Sequence, residues 1–244
     1  MLVTTLSAKL LDDYGRTTVA TWYAFTKRRI VVVVNPDEVA QFRIDLGSAY
    51  SVIPFSDESI QLIQAIRKRE EKLAYRKDDY RWQAGRFSWK VFAMEEAFRA
   101  FPAEDPATWL DADSLMKQGF DDWLSQLFSD KHAVSFLGRS HKQLHAETGL
   151  IDFRGAKGRE FFRKVFKIYR SLEIFDFNEW TDSYIYTYAF QFHKDCFDIC
   201  KYRGVKSSNP LYEIDRGRHI LHLKGMRKNA KFLFFDNIRM LLGR

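Results

Sequence analysis

Apolar and polar positions along this chain follow two alternating habits. Short β-prone runs occur at MLVTTL (1–6), RIVVVVN (29–35), SAYSVIPF (48–55) and ATWLDAD (107–113). Between them lie longer stretches with helical spacing of apolar residues: SAKLLDDYGRTTVATWYAF (7–25, read as a helix and a return), PDEVAQFRIDL (36–46), DESIQLIQAIRKREEKLAYRK (57–77) and RWQAGRFSWKVFAMEEAFRAF (81–101). The Val-rich run is continuously apolar, which suits a central parallel strand covered on both faces. Strand–helix–strand alternation through the first half predicts an α/β protein with a right-handed, mostly parallel sheet flanked by helices.

The second half is read as a helix at GFDDWLSQLFS (119–129), strands at AVSFLGR (133–139) and GLIDFRG (149–155), and a helix at REFFRKVFKIYRSLEIF (159–175). EWTDSYIYTYAFQFHKDCFDIC (179–200) is expected to continue helically. RHILHLKG (218–225) reads as a strand and loop, and KFLFFDNIRMLLG (231–243) as a closing helix. The 244 residues show no internal repeat and no clear linker, so one domain spanning 1–244 is expected.

With 46% hydrophobic and 16% aromatic residues, a sizeable core is expected and a disordered chain is not. No apolar run approaches the roughly 18 residues of a membrane span. The N-terminus does not read as a signal peptide, so a soluble, cytoplasmic protein is expected. The two cysteines, Cys196 and Cys200, exclude a disulfide framework. With His193 they could share one face of a helix, but three soft ligands on one helix make a poor metal cage, and buried structural thiols are the preferred reading.

The net charge of +7 is unevenly placed. Residues 201–244 hold eleven Lys or Arg against three Asp or Glu, a net +8, and the remainder nearly balances. This basic C-terminal segment points to an anionic partner: nucleotide phosphates, nucleic acid or a lipid headgroup.

The chemistry centres on Asp111-Ala112-Asp113, at the exit of the ATWL strand, where ligands of an open α/β sheet bind. Two carboxylates two residues apart in an extended segment face one side and repel one another. Mg2+ or Mn2+ would relieve that repulsion and leave room for substrate phosphates. An Asp after a strand is also common in turns. Late in the chain, RHILHLKGMRK places His222 before Lys224, Gly225, Arg227 and Lys228: an imidazole, a flexible residue and three cations fit for a metal–diphosphate site.

In this order, VTTLS, an Arg- and Lys-bearing helix, LDAD, ETGLIDF, EWTDS and HLKGMRK resemble a GT-A glycosyltransferase, nearest the glycogenin-like and lipopolysaccharide-galactosyltransferase-like group of family eight. The resemblance covers nearly the whole chain. It implies a nucleotide-diphospho-sugar transferase-like, Rossmann-like sheet and a nucleoside-diphosphate sugar donor, UDP first. It implies a Mn2+ or Mg2+ ion on Asp111, Asp113 and, through an H-x-x-G-x-x-K pattern, His222. By the same resemblance, Lys228, with Gly225 and Lys224 beside it, meets the diphosphate. Thr4, Thr5 and Leu6 hold base and ribose, and Arg86 and Lys90 reach the donor sugar and the metal-binding acid.

ETGLIDF departs from the family's N-x-G segment, with Glu147 and Thr148 near where Asn is usual. EWTDS departs from W-x-D-Q, with Ser183 after Asp182. Glu147 and Asp182 are the candidate catalytic carboxylates, and His145 could edge the pocket. Retention of configuration is favoured over inversion. A glycan or lipid-linked acceptor, with peripheral contact at the inner membrane face, ranks ahead of hydroxymethylated DNA. The alternatives are a nucleotidyltransferase, although TTLSAKLLDDYG lacks that class's Gly-rich basic loop, and a non-enzymatic nucleic-acid-binding protein.

Overall fold

A computed structural model describes residues 1–73, 79–128, 130–139 and 145–223. Along the chain run β1 (Leu2–Thr5), α1 (Ala8–Leu10), a π turn, α2 (Arg16–Phe25), β2 (Ile30–Val34), α3 (Val39–Leu46), β3 (Tyr50–Pro54), α4 (Asp57–Leu73), α5 (Ala84–Ala100) and β4 (Ala107–Leu110). There follow β5 (Ser114–Met116), α6 (Phe120–Leu127), β6 (Val134–Leu137), β7 (Glu147–Phe153), α7 (Gly155–Arg170), α8 (Asp182–Gln191), β8 (Cys196–Asp198), α9 (Ile199–Arg203), α10 (Pro210–Asp215) and β9 (Ile220–His222).

Seven strands form one sheet in the order β3-β2-β1-β4-β7-β6-β8. β1, β2, β3 and β4 run parallel, β7 is antiparallel to both β4 and β6, and β8 is parallel to β6. The Val run behaves as its pattern demands. In β2 all five residues are buried, Val31 and Val33 joining one core, Ile30, Val32 and Val34 the other. The first core also holds Phe92 and Met94 of α5 and Phe161, Phe162 and Val165 of α7. The second holds Val19 and Trp22 of α2, Phe42 of α3, and Phe120 and Leu124 of α6. Helices thus cover both faces, and each fully buried aromatic or branched side chain contributes about 1.5–3 kcal/mol. No helix among the described residues is long and apolar enough to cross a membrane.

Three expectations need correction. After the N-cap Ser7, residues 8–25 stay helical rather than turning back, through α1, the π turn Leu11–Gly15 and α2. The stretch 179–200 is not one helix: α8 ends at Gln191, and Cys196–Asp198 forms an edge strand on β6. Asp198 then caps α9, accepting from the Cys200 and Lys201 amides at 2.9 and 3.1 Å. Cys196 therefore lies on a strand and Cys200 on a helix, and no helical face shared with His193 exists. The strand read in RHILHLKG is β9, which pairs with β5 in a separate two-stranded sheet. The segment expected as a closing helix, 231–243, lies outside the described residues.

Candidate functional site

The Asp111-Ala112-Asp113 segment leaves β4 where the parallel strands end. The Asp111 amide donates to Gly149 O at 2.9 Å and the Ser114 amide returns to Asp111 O at 3.1 Å, so the backbone turns tightly between the acids. It then enters β5, where Ser114 lies opposite His222 of β9, and the Leu223 amide donates to Asp113 O at 2.7 Å. This short ladder carries the late imidazole to the mid-chain acids. His222 Nε2 stands 2.9 Å from Asp113 Oδ1 and 3.8 Å from Asp111 Oδ2.

One ligand atom from each of Asp111, Asp113 and His222 lies within 4.8 Å of the others, the group with metal-holding spacing among the described residues. Ligand atoms about 2.1 Å from a small octahedral cation are about 3 Å apart when adjacent, and the two observed separations bracket that value. Two carboxylate oxygens and one imidazole nitrogen are hard-to-intermediate donors, so the set fits Mg2+ or Mn2+. Burial lowers the His222 pKa, but the Asp113 hydrogen bond and the charges of Asp113, Asp111 and Glu147 outweigh it and hold the pKa above its ordinary value.

Gly149 is fitted to this triad. A Cβ there would stand 3.1 Å from His222 Cε1, and 3.2 Å from both Asp111 Oδ2 and Glu147 Oε1. The other oxygen of Asp111 is already engaged. Trp109 Nε1 donates to Oδ1 at 2.7 Å, and Lys90 Nζ lies 3.1 Å from it. Oδ2 is the oxygen left facing His222.

Lys90 of α5 ties the two halves of the site together. Its ammonium is 2.6 Å from Asp182 Oδ2, donates to Thr148 O at 2.9 Å, and sits over the Trp109 ring. Burial would depress its pKa, but Asp111 and Asp182 more than compensate and raise it. Asp182 opens α8 behind the N-cap Thr181. Its carboxylate also accepts from Thr148 Oγ1 at 2.8 Å and from the Ser183 amide at 2.9 Å. Arg86, one turn earlier than Lys90, is exposed at the cleft mouth and does not contact the acids.

Glu147 begins β7 and is buried in an ion pair with Arg139, whose Nη1 also donates to His145 O at 3.2 Å. Arg139 was not evident in the sequence, because nothing in AVSFLGR marks its partner eight residues on. A cleft of ≈ 1100 Å³ opens here, lined by Thr5, Lys90, Asp111, Asp113, Glu147, Asp182 and others, including His145, with His222 just behind the two acids. A neighbouring cavity of ≈ 820 Å³ shares Thr5, Arg86 and Trp89 with it and adds Leu6 and Asn35. Thr5 lies between the two, its hydroxyl donating to Val33 O at 2.7 Å. Thr4 is fully buried within β1 and lines neither cavity. Lys224, Gly225, Arg227 and Lys228 lie outside the described residues.

No family model matches the chain. No curated protein matches it significantly. Solved structures do. Mouse xyloside xylosyltransferase 1 in its apo form superposes with a TM-score of 0.54 at 11% identity, over 94% of this chain and 98% of that one. The galactosyltransferase LgtC, in complex with donor and acceptor sugar analogues, gives 0.54 at 12% identity, over 99% and 94%. GlyE of Streptococcus pneumoniae gives 0.53 at 14% identity, over 93% of this chain and 55% of that protein, so this chain spans about half its length. At such identities the likeness is one of fold, and the fold is that of the GT-A glycosyltransferases.

Proposed function

We propose that this chain is a metal-dependent glycosyltransferase that moves a sugar from a nucleoside-diphosphate donor to a hydroxyl acceptor. The observation that carries the reading is the meeting of Asp111, Asp113 and His222 at the carboxyl ends of the parallel strands, beside a large cleft. A divalent cation there would neutralise charge developing on the departing diphosphate. The residues have separable tasks. Asp111, Asp113 and His222 would hold the ion, and Lys90 orients Asp111 while neutralising Asp182. Thr5, at the junction of the two cavities, and Leu6, in the second, would receive the nucleoside, UDP being the first choice, with Arg86 over the donor sugar. In the sequence, Lys224, Gly225 and Lys228 follow His222 closely enough to meet the diphosphate.

Asp182 and Glu147 are each committed to a cation, Lys90 and Arg139 respectively. A carboxylate so engaged is a poor proton acceptor for an acceptor hydroxyl. That favours a retaining reaction, in which the protein supplies little base, and accords with the resemblance to family eight. A glycan or lipid-linked acceptor is the preferred one, reached in the cytoplasm or at a membrane surface.

Thermal denaturation of the protein with a panel of nucleotide sugars, with Mn2+ or with EDTA, tests the reading. A donor that stabilises only with the metal, and whose effect is lost in Asp111→Asn and His222→Ala, is expected. Stabilisation retained in both variants would place the donor elsewhere. Release of pyrophosphate rather than a nucleoside diphosphate would identify a nucleotidyltransferase.

A further inference from the structure

One face of α8 carries Tyr184 and Tyr188 four residues apart, and Phe192 caps the helix after another four. Residues at this spacing stack on one side of a helix and here extend about 12 Å along it. The rings touch in series. Phe177 meets Tyr184 at 6.1 Å and Tyr188 at 4.9 Å between centroids, and Tyr188 meets Phe192 at 5.0 Å. Tyr184 in turn packs edge-on against His145 at 4.8 Å, and His145 lines the cleft. An aromatic ribbon therefore leads from the rim of the site out to solvent, where Tyr188 is 40% and Phe192 71% exposed.

Single exposed aromatics are ordinary, but a contiguous row with one end in a cleft is not. Tyr184 and Phe177 pack against the core that Ile185 and Tyr186 enter, whereas Tyr188 and Phe192 stand outside it. The surroundings restrict the occupant. Asp176 adjoins Phe177, and Glu179 pairs with His145 at 3.3 Å, so the cleft end of the row is acidic and does not suit an anionic bilayer or a nucleic acid. A neutral ligand with flat apolar faces edged by hydroxyls suits it. Pyranose rings can lay their C–H faces on the rings while their hydroxyls meet Glu179, His145 and the Tyr188 phenol.

We propose that the Tyr184–Tyr188–Phe192 face of α8 is a subsite for the acceptor, and that the acceptor is an oligosaccharide whose non-reducing end enters the cleft while the preceding sugars lie along the ribbon. This rests on the transferase reading and adds the acceptor class to it. A monosaccharide acceptor would reach only the cleft. A chain of three or more sugars would gain the ribbon as well.

The test is an array of immobilised mono- to hexasaccharides probed with the full chain in Mn2+ and UDP, alongside metal-dependent hydrolysis of the nucleotide sugar in solution. The wild type is expected to be retained by particular glycans of three or more sugars. The double variant Tyr188→Ala/Phe192→Ala should lose at least tenfold of that retention and keep its hydrolysis within twofold. Tyr188→Phe/Phe192→Tyr, which keeps both rings, should restore binding. Retention unchanged in the alanine variant, or no oligosaccharide retained by the wild type, would overturn the subsite. So would equal losses of short- and long-glycan binding. Glycan retention through the ribbon without any nucleotide-sugar hydrolysis would support the subsite and count against the transferase reading instead.

Discussion

Lys90 and Asp182 meet at 2.6 Å in the interior of the cleft wall, although 92 residues of chain separate them. The same ammonium lies 3.1 Å from Asp111, so one buried cation balances an acid at each end of the site. Removing one partner of a buried ion pair leaves the other charge uncompensated, at about 3–5 kcal/mol. Lys90→Met is therefore expected to lose that order of stability in urea denaturation, together with metal-dependent donor binding. Adding Asp182→Asn should recover part of the stability without recovering donor binding, because Asp111 stays unneutralised. A loss below about 1 kcal/mol for Lys90→Met, the level of an exposed pair, would show that the ammonium is not held between the acids.

Gly149→Ala probes the triad without altering a ligand. The added methyl meets His222 and Asp111 at 3.1–3.2 Å, closer than ordinary side-chain contacts, and both are donor-bearing side chains. Displacing the immediate supports of a metal site commonly costs 10–100-fold in affinity. Mn2+ binding followed by electron paramagnetic resonance should weaken by at least about tenfold, while the far-ultraviolet circular dichroism stays that of the wild type. Unchanged affinity would mean that the ion sits away from Gly149.

His222 depends on a support well outside the cleft. Asp215, at the end of α10, is 2% exposed. Its carboxylate accepts from the His219 amide at 2.8 Å, the Ile220 amide at 2.9 Å and His219 Nδ1 at 2.7 Å. These bonds fix the entry into β9, which holds only three residues. Asp215→Ala leaves buried donors unsatisfied, at about 1–3 kcal/mol, and frees the strand that carries the imidazole. Weaker Mn2+ binding is expected in the folded variant, with Asp215→Asn intermediate because its amide oxygen can still accept. Equal metal binding in all three proteins would show that β9 holds its place without Asp215.

What could be read from the sequence divides along physical lines. The Val run of β2 and the amphipathic α4, α5 and α7 carry their instructions locally, in continuous burial or helical spacing, and the sheet follows from them. The pairing of Asp111 and Asp113 with His222 was suggested by motif order, but the device that joins them was not. β5 and β9 are three residues each and exist because each completes the other. β8 is likewise a strand because β6 offers it an edge, and in isolation its surroundings look like a helix. Of the two candidate cations Arg86 and Lys90 on α5, spacing alone could not say which faces inward. Trp109 and Thr148, which hold Lys90 in place, come from β4 and β7 and become its neighbours only through the sheet.

The two cysteines offer a check on this region that does not depend on function. Burial pushes the thiols of Cys196 and Cys200 each up to about 12. The neighbouring Asp195 and Asp198 act in the same direction. The thiolate is the reactive form, so at pH 8 a thiol at about 12 holds over about a thousandfold less of it than a free cysteine of pKa about 8.5. The greater nucleophilicity of a high-pKa thiolate offsets part of that deficit, so alkylation by iodoacetamide at pH 8 should be slower in the native protein than in urea by at least about tenfold for both residues. Since Cys196 lies on the edge strand β8 and Cys200 within α9, mass spectrometry of each labelled site reads the two elements separately. Selective rapid labelling of Cys196 would mean that β8 leaves the sheet in solution. Rapid labelling of both would mean that neither thiol is packed as the fold places it.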